Sequence, residues 1–232
     1  MTRPALLLVP GAWNKPGHFN PLVDALQDFD VHTVTLTSSG DDPTTLGDMY
    51  ADAAVVAQAV AAIDGPVVVI AHSYGGVPAT QALSNAGNVQ RIIYLAASQL
   101  DVGESQLSPA GGRLMPWTRL HYLDGVGGYV EVATPMTVFY NDVEVVTARD
   151  AAEQLGYQRY AAMEQELTEA AWKTVPSTYI ICEEDNAIPV AAQEVMAKRA
   201  DEVLRIRASH SPFLSQPAAL ARLIRGVCSQ PS

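Results

Sequence analysis

The stretch Val67-Val68-Val69-Ile70-Ala71-His72-Ser73-Tyr74-Gly75-Gly76 constrains this chain more than any other. Four consecutive β-branched residues favour extended backbone. A run apolar at every position, without alternation, suits a parallel strand covered on both faces. The run stops at a serine with Ala71 two positions before it and Gly75 two positions after it. Beyond it the pattern turns helical through Val77, Thr80, Gln81 and Leu83, with Pro78 where a first helical turn tolerates it. Strand, sharp turn and helix make the setting of a nucleophile elbow, written here Ala-His-Ser-Tyr-Gly in place of Gly-x-Ser-x-Gly. Lifting a serine Oγ clear of the backbone brings the chain close to itself, so the side chains two positions away must be small. The same turn puts Ser73 at the positive end of a helix, where developing negative charge is stabilised.

A strand buried on both faces needs neighbours, and the chain supplies them. Short apolar runs at 5–9, 31–36, 91–96, 177–182 and 203–206 read as five further strands. Helical periodicity falls between them. Leu22, Val23, Leu26 and Phe29 share one face, and Leu46, Met49, Ala53, Val56, Val60 and Ile63 form a stripe opened by a capping box at Thr45-Leu46-Gly47-Asp48. Further helices are expected at 189–199 and 217–227. The predicted class is α/β: a doubly wound, mainly parallel six-stranded sheet with helices on both faces. From 99 to 175 the periodicity weakens into Gly and Pro clusters, closed by two helix-like segments at 144–155 and 157–171. More than seventy residues is too long for an ordinary crossover, so residues 99–175 are expected to form an inserted lid. Residues 1–98 and 176–232 would then form the core.

The 232 residues are 48% hydrophobic, enough for one α/β domain that needs neither metal nor disulfide for stability. Lys and Arg number 14 against 25 Asp and Glu, and a net charge of −11 should repel phosphate backbones and anionic lipid. Nucleic acid and membrane are therefore not expected as partners. Cys182, inside an apolar run, and Cys228 read as two buried thiols of a reducing compartment. The opening apolar run is too short for a signal peptide and passes straight into Pro10-Gly11, so a cytoplasmic location is expected. Neither a metal-ligand cluster nor a phosphate-binding glycine loop is visible, and no cofactor is expected.

Ligands of open parallel sheets bind beyond the carboxyl ends of the strands. Four predicted strands end there in residues of chemical interest: Pro10-Gly11-Ala12-Trp13, Ser73, Glu183-Glu184-Asp185 and Ser209-His210-Ser211. A serine hydroxyl needs a base within hydrogen-bond reach. His210 stands in a short loop after the last strand, where such a base is required, whereas His18, His32 and His121 have no comparable setting. His72 adjoins the serine, but successive side chains point apart at an elbow, so it is read as supporting the loop. For the acid that orients the base, Glu183, Glu184 and Asp185 all qualify. Asp185 is preferred because Asn186-Ala187-Ile188-Pro189 leads directly into a helix, and Asp101, after the fourth strand, is the runner-up. An oxyanion needs at least two donors, for which the backbone N–H groups of Tyr74 and Ala12 are the candidates. In the 99–175 segment Leu114, Met115, Trp117, Leu120, Tyr122, Val138, Phe139 and Tyr140 could wall an apolar pocket. Arg113, Arg119 and Arg149 could meet an anionic substrate or simply face water.

Taken together, Leu8-Val9-Pro10-Gly11-Ala12-Trp13, Ala71-His72-Ser73-Tyr74-Gly75-Gly76, Cys182 to Pro189 and Ala208-Ser209-His210 resemble the α/β-hydrolases. The resemblance is to the small branch that holds plant methylesterases and hydroxynitrile lyases, and it extends over nearly the whole chain. It implies Ser73 as nucleophile, His210 as base, Asp185 as orienting acid, and Ala12 and Tyr74 as oxyanion donors. The implied activity is hydrolysis of a small, largely apolar ester. Two departures bear on the reaction. The chain has Pro10-Gly11 where many relatives have His-Gly, and it has Gly11 and Ser211 where the lyases carry a threonine and a lysine. Without that lysine to hold a cyanide leaving group, ester hydrolysis is favoured over cyanohydrin cleavage. A lyase, a C–C bond hydrolase, a lactone- or polyketide-tailoring enzyme and a non-catalytic binding protein are the alternatives on the same scaffold.

Overall fold

Every residue of the 67–72 run is buried, as a strand covered on both faces requires. The computed structural model describes residues 3–229. Along the chain, β1 (Ala5–Val9), α1 (Asn20–Ala25) and β2 (Val31–Thr33) are followed by a two-residue strand, β3 (Ser39–Gly40), and by α2 (Met49–Ala61). Then come β4 (Val67–His72), α3 (Gly76–Ala82) and β5 (Val89–Leu95). The long intervening segment carries β6 (Thr118–Leu123), β7 (Gly127–Val132), α4 (Pro135–Val138), α5 (Val145–Glu153), β8 (Tyr157–Arg159) and α6 (Tyr160–Glu164). The chain closes through β9 (Ser177–Cys182), α7 (Val190–Ala197), β10 (Glu202–Ile206), α8 (Pro212–Ser215) and α9 (Pro217–Cys228).

The central sheet runs β10-β9-β5-β4-β1-β2, and every pairing in it is parallel. Alternation along each strand divides the core into two layers. Leu7, Val9, Val67, Val69, Tyr94 and Tyr179 pack with α2, α3 and α7 through Met49, Val56, Val77 and Met196. Leu6, Leu8, Val68, Ile70, Ile93 and Ile180 pack with α1, α8 and α9 through Leu22, Phe213, Leu220 and Ile224. This is the doubly wound six-stranded architecture that the apolar runs predict. No helix among the described residues is long and apolar enough to cross a membrane.

Several expectations need correction. The second strand ends at Thr33 instead of residue 36: Val34 still donates to Leu8 O at 3.3 Å, but the chain then leaves the sheet to bring Ser38 and Ser39 towards the middle of the molecule. The helix expected from Thr45 begins at Met49, with Asp48 as the capping residue that accepts from Ala51 N at 2.9 Å. Asp48 is extended (φ −131°, ψ −178°), so the helix cannot begin before it, and Gly47 N–H donates to Thr37 O at 2.8 Å, which holds the preceding segment against the loop after β2. In the 157–171 stretch, expected as one helix, only Tyr160–Glu164 is α-helical, because Tyr157–Arg159 is pulled into a second sheet. That sheet, β3-β8-β7-β6, is antiparallel and was hidden because its strands are only half buried, which blurs the alternation. Of the two cysteines, Cys182 is fully buried and Cys228 half-buried; both are free.

The elbow explains its own glycines. A Cβ on Gly75 would sit 2.5 Å from Pro10 O and 2.7 Å from Val9 O, both rigid backbone at the end of β1. Gly75→Ala should therefore lower the unfolding free energy by about 1–3 kcal/mol, the ordinary penalty of overpacking. Urea denaturation measures this, and an unchanged midpoint would show that the end of β1 yields freely.

Candidate active site

Ser73 sits where β4 turns into α3, with φ +53°, in the left-handed region that a serine rarely enters. Such a conformation costs about 1–3 kcal/mol and persists only where the surroundings over-determine it. Here Ser98 N–H donates to Ser73 O at 3.0 Å, Gly75 lies on the β1 carbonyls, and a Cβ on Gly11 would come within 2.8 Å of Ser73 Cβ. Gly11 is therefore what allows the loop after β1 to lie directly against the serine.

His210 and Asp185 come together behind this turn. His210 Nδ1 lies 2.7 Å from Asp185 Oδ2, with the two side chains 3% and 0% exposed. The carboxylate is fixed by its own loop: Oδ1 accepts from the N–H groups of Ala187 and Ile188 at 2.7 and 2.9 Å. Asp185 thereby specifies a proton on Nδ1 and leaves the lone pair on His210 Nε2. The loop bearing the histidine is pinned through Ser209, whose N–H donates to Asp142 Oδ2 at 3.0 Å and whose Oγ donates to Phe139 O at 3.1 Å.

Gln193 is a supporting residue that the sequence reading missed. Fully buried on α7, it donates from Nε2 to Asp185 Oδ2 at 3.1 Å and to Ile188 O at 2.8 Å, and accepts from Cys182 N at 3.0 Å. A polar residue on the buried stripe of the helix just after the acid was its only local signal.

The other acids are employed elsewhere. Asp101, the runner-up, pairs with Lys173, whose ammonium holds its carboxyl below the usual range. Glu183 and Glu184 form solvent-facing pairs with Arg205 and Arg207 at 3.6 and 2.6 Å.

His72 is the neighbour of Ser73 but faces the opposite layer, enclosed by the rings of Phe19, Phe213 and His210. Its Nε2 lies 2.9 Å from His210 O, so it supports the loop of the second histidine. Burial, reinforced by His210, pushes its pKa well below the ordinary 6.5. Below that ordinary value the unfolded chain takes up a proton here that the folded protein does not. Stability is therefore lost as pH falls, at up to about 1.4 kcal/mol per pH unit. Urea midpoints compared at pH 7 and pH 5 should drop less in His72→Gln than in the wild type, and equal drops would refute this assignment.

Ala12, Ser73, Tyr74 and His210 all line one cavity of about 200 Å³. Its wall is apolar, with an aromatic cluster in which Trp117 meets Trp13 at 5.8 Å and 66° and Phe139 at 5.4 Å and 79°. Leu114 and three methionines, Met115, Met163 and Met196, complete much of it. Tyr122, expected in such a wall, instead projects from the second sheet and is 70% exposed, while Val138 and Tyr140 are buried. Arg113 lines the cavity, whereas Arg119 and Arg149 lie exposed on the surface. Among the described residues, no group of three or more His, Cys, Asp or Glu side chains is placed to share a metal ion.

The model of the alpha/beta hydrolase family matches residues 6–223. The chain is 31% identical to the alpha/beta hydrolase nvfD of Aspergillus novofumigatus over 247 residues, covering 99% of this chain and 98% of that protein. Among solved structures, polyneuridine aldehyde esterase superposes with a TM-score of 0.84 at 19% identity, over 97% of this chain and 99% of that one. The methylesterase MES16 from Arabidopsis superposes with a TM-score of 0.80 at 20% identity, over 97% and 98%.

Proposed function

Since this chain belongs to the alpha/beta hydrolase family, we propose that it is a serine hydrolase cleaving a carboxylic ester of a small, largely apolar molecule. One observation carries the reading: a strained Ser73 and a buried His210 backed by Asp185 open onto the same cavity.

In this proposal His210 Nε2 takes the Ser73 proton as Oγ attacks the ester carbonyl. The N–H groups of Ala12 and Tyr74 hold the tetrahedral oxyanion. His210 then protonates the departing alcohol, and water repeats the sequence on the acyl-enzyme, returning the serine and releasing the acid. Trp13, Trp117 and Phe139 supply flat apolar walls, and the unbranched methionines let the wall adapt to the acyl group. Residues 99–175 act as the lid, since Met115, Trp117 and Phe139 of that segment line the cavity onto which the serine opens. Ser211, buried after His210, offers no positive charge for a cyanide leaving group, which supports hydrolysis over cyanohydrin cleavage.

The test is covalent labelling with a fluorophosphonate probe, mapped by mass spectrometry, followed by esters of graded acyl length. One equivalent on Ser73, with product acid and alcohol in equal amounts, is expected. A folded protein left unlabelled would overturn the reading in favour of a binding role. Stoichiometric labelling with turnover only of cyanohydrins or β-diketones would reassign the reaction on the same residues.

A further inference from the structure

The acyl-transfer reading uses Ala12 and Tyr74 only through their backbone N–H groups, yet Trp13 N–H, next to Ala12, and the Tyr74 hydroxyl are both tied to one buried carboxylate. Asp52, on α2, is fully buried. Its Oδ2 accepts from Tyr74 Oη at 2.9 Å and from Ser38 Oγ; its Oδ1 accepts from Ser38 N–H at 2.9 Å and from Thr37 Oγ1 at 2.8 Å. From Ser38 the connection continues. Gln158 Nε2, on β8, donates to Ser38 Oγ at 2.8 Å, and Ser39 Oγ donates to Gln158 Oε1. Ser39 Oγ in turn accepts from Trp13 N–H at 3.1 Å.

The donors therefore run in one sense, Trp13 N–H to Ser39 to Gln158 to Ser38 to Asp52, with Tyr74 arriving from the opposite side. Each hydroxyl accepts one bond and donates the next, the arrangement in which neighbouring hydrogen bonds polarise one another.

The two ends fall beside the proposed oxyanion donors. Tyr74 is the residue whose N–H follows the serine. Trp13 N–H belongs to the peptide of Ala12, whose carbonyl is held on its other edge by Asn14 Nδ2 at 3.0 Å. Trp13 itself has φ +65°, a strained conformation for a large side chain, and its remaining polar groups are also held. Gly156 N–H donates to Trp13 O at 2.9 Å, and Trp13 Nε1 donates to Val130 O at 2.7 Å. A buried carboxylate with four donors is an expensive way to fill space, since apolar residues of similar volume are usually at least as stabilising. What it provides is a rigid connection between α2, the second sheet and the two backbone segments at the serine.

We propose that Asp52 is a positioning residue for the oxyanion hole, fixing through one buried hydrogen-bonded chain both backbone segments that present the Ala12 and Tyr74 N–H groups. Ser38, Ser39 and Gln158 act with it, none of them touching substrate. The proposal rests on the acyl-transfer reading above.

Three variants test it: Ser39→Ala at one end, Tyr74→Phe at the other, and Asp52→Asn at the hub. Each is measured for kcat and KM on a p-nitrophenyl ester, for affinity towards an arylboronic acid, and for thermal midpoint. The boronic acid becomes a tetrahedral anion on the nucleophilic serine and so reports on the hole itself. The expected result is a fall in kcat of about 10- to 100-fold, the scale of a misplaced catalytic group, with KM nearly unchanged. Boronate affinity should fall in parallel. The Ser39→Ala/Tyr74→Phe double variant should lose little more than the worse single one, as parts of one unit do. Wild-type kcat and boronate affinity in folded Ser39→Ala or Tyr74→Phe would overturn the proposal. So would losses in kcat and KM that follow the thermal midpoint and vanish on cooling, which is a structural role only. If those variants behave as wild type while the wild type labels at Ser73, only the positioning role fails; an unlabelled wild type overturns the acyl-transfer reading and this proposal together.

Discussion

Ser73→Ala is expected to cut ester turnover by about 10⁴- to 10⁶-fold while leaving the protein folded. The substitution removes one atom, the Oγ that would form the acyl bond, and nothing that shapes the cavity. Ala12, Tyr74 and the aromatic wall of Trp13, Trp117 and Phe139 remain, so substrate still binds and the residual rate comes from the donors and from binding alone. Stability should change little, because alanine and serine meet the same left-handed strain at φ +53° and the turn is held by Ser98, Gly75 and Gly11. Steady-state kinetics with a p-nitrophenyl ester, together with a thermal melt, checks both halves. A variant that turns over at the wild-type rate would remove Ser73 from the mechanism.

The second large effect is expected from Asp185→Asn, which replaces a carboxylate oxygen with an amide nitrogen in a side chain of almost the same shape. The loop decides which way that amide points. Oδ1 of residue 185 accepts from the N–H groups of Ala187 and Ile188, and an NH₂ group there would face two donors. The introduced amide must therefore keep its oxygen in that turn and aim its NH₂ at His210 Nδ1. A donor facing Nδ1 imposes the other tautomer, with the proton on Nε2 and no lone pair left to receive the Ser73 proton. The geometry survives and the base does not, so kcat should fall about 10⁴-fold with KM little changed. Gln193 Nε2, which donates to Oδ2, would also face that NH₂, but this single opposed donor is outweighed by the two N–H groups that hold the oxygen in the turn. An Asp185→Asn protein within tenfold of wild type would show that the orientation of His210 is set elsewhere, through Ser209 or His72.

The parts of this protein that could be read from the chain are those whose causes are local. The run 67–70 is β-branched and apolar throughout because both faces of β4 are covered, and the small residues around Ser73 answer to crowding within a few residues. Strand and helix positions in the two outer thirds follow from period and punctuation in the same way. The middle third resisted because β6, β7 and β8 are half-exposed, so their side chains carry no clean alternation, and Tyr157–Arg159 adopts its strand only by pairing with Tyr129, Val130 and the distant Ser39–Gly40. The same logic explains the displaced start of α2, where Asp48 is extended and Gly47 before it is held by residue 37, a contact across a loop.

The sequence by itself determined the sheet, the elbow and a short roster of groups able to do chemistry, because backbone propensity and burial pattern act over a few neighbouring residues. The tertiary structure decided among them. It set Asp185 and not Asp101 beside His210, placed Gln193 behind the acid, and joined Trp13 to Tyr74 through Ser39, Gln158, Ser38 and Asp52. Those choices depend on hydrogen bonds that side chains make to groups from 8 to 120 residues away. Such bonds have no period to read and exist only once the layers have packed and water has been excluded from between them.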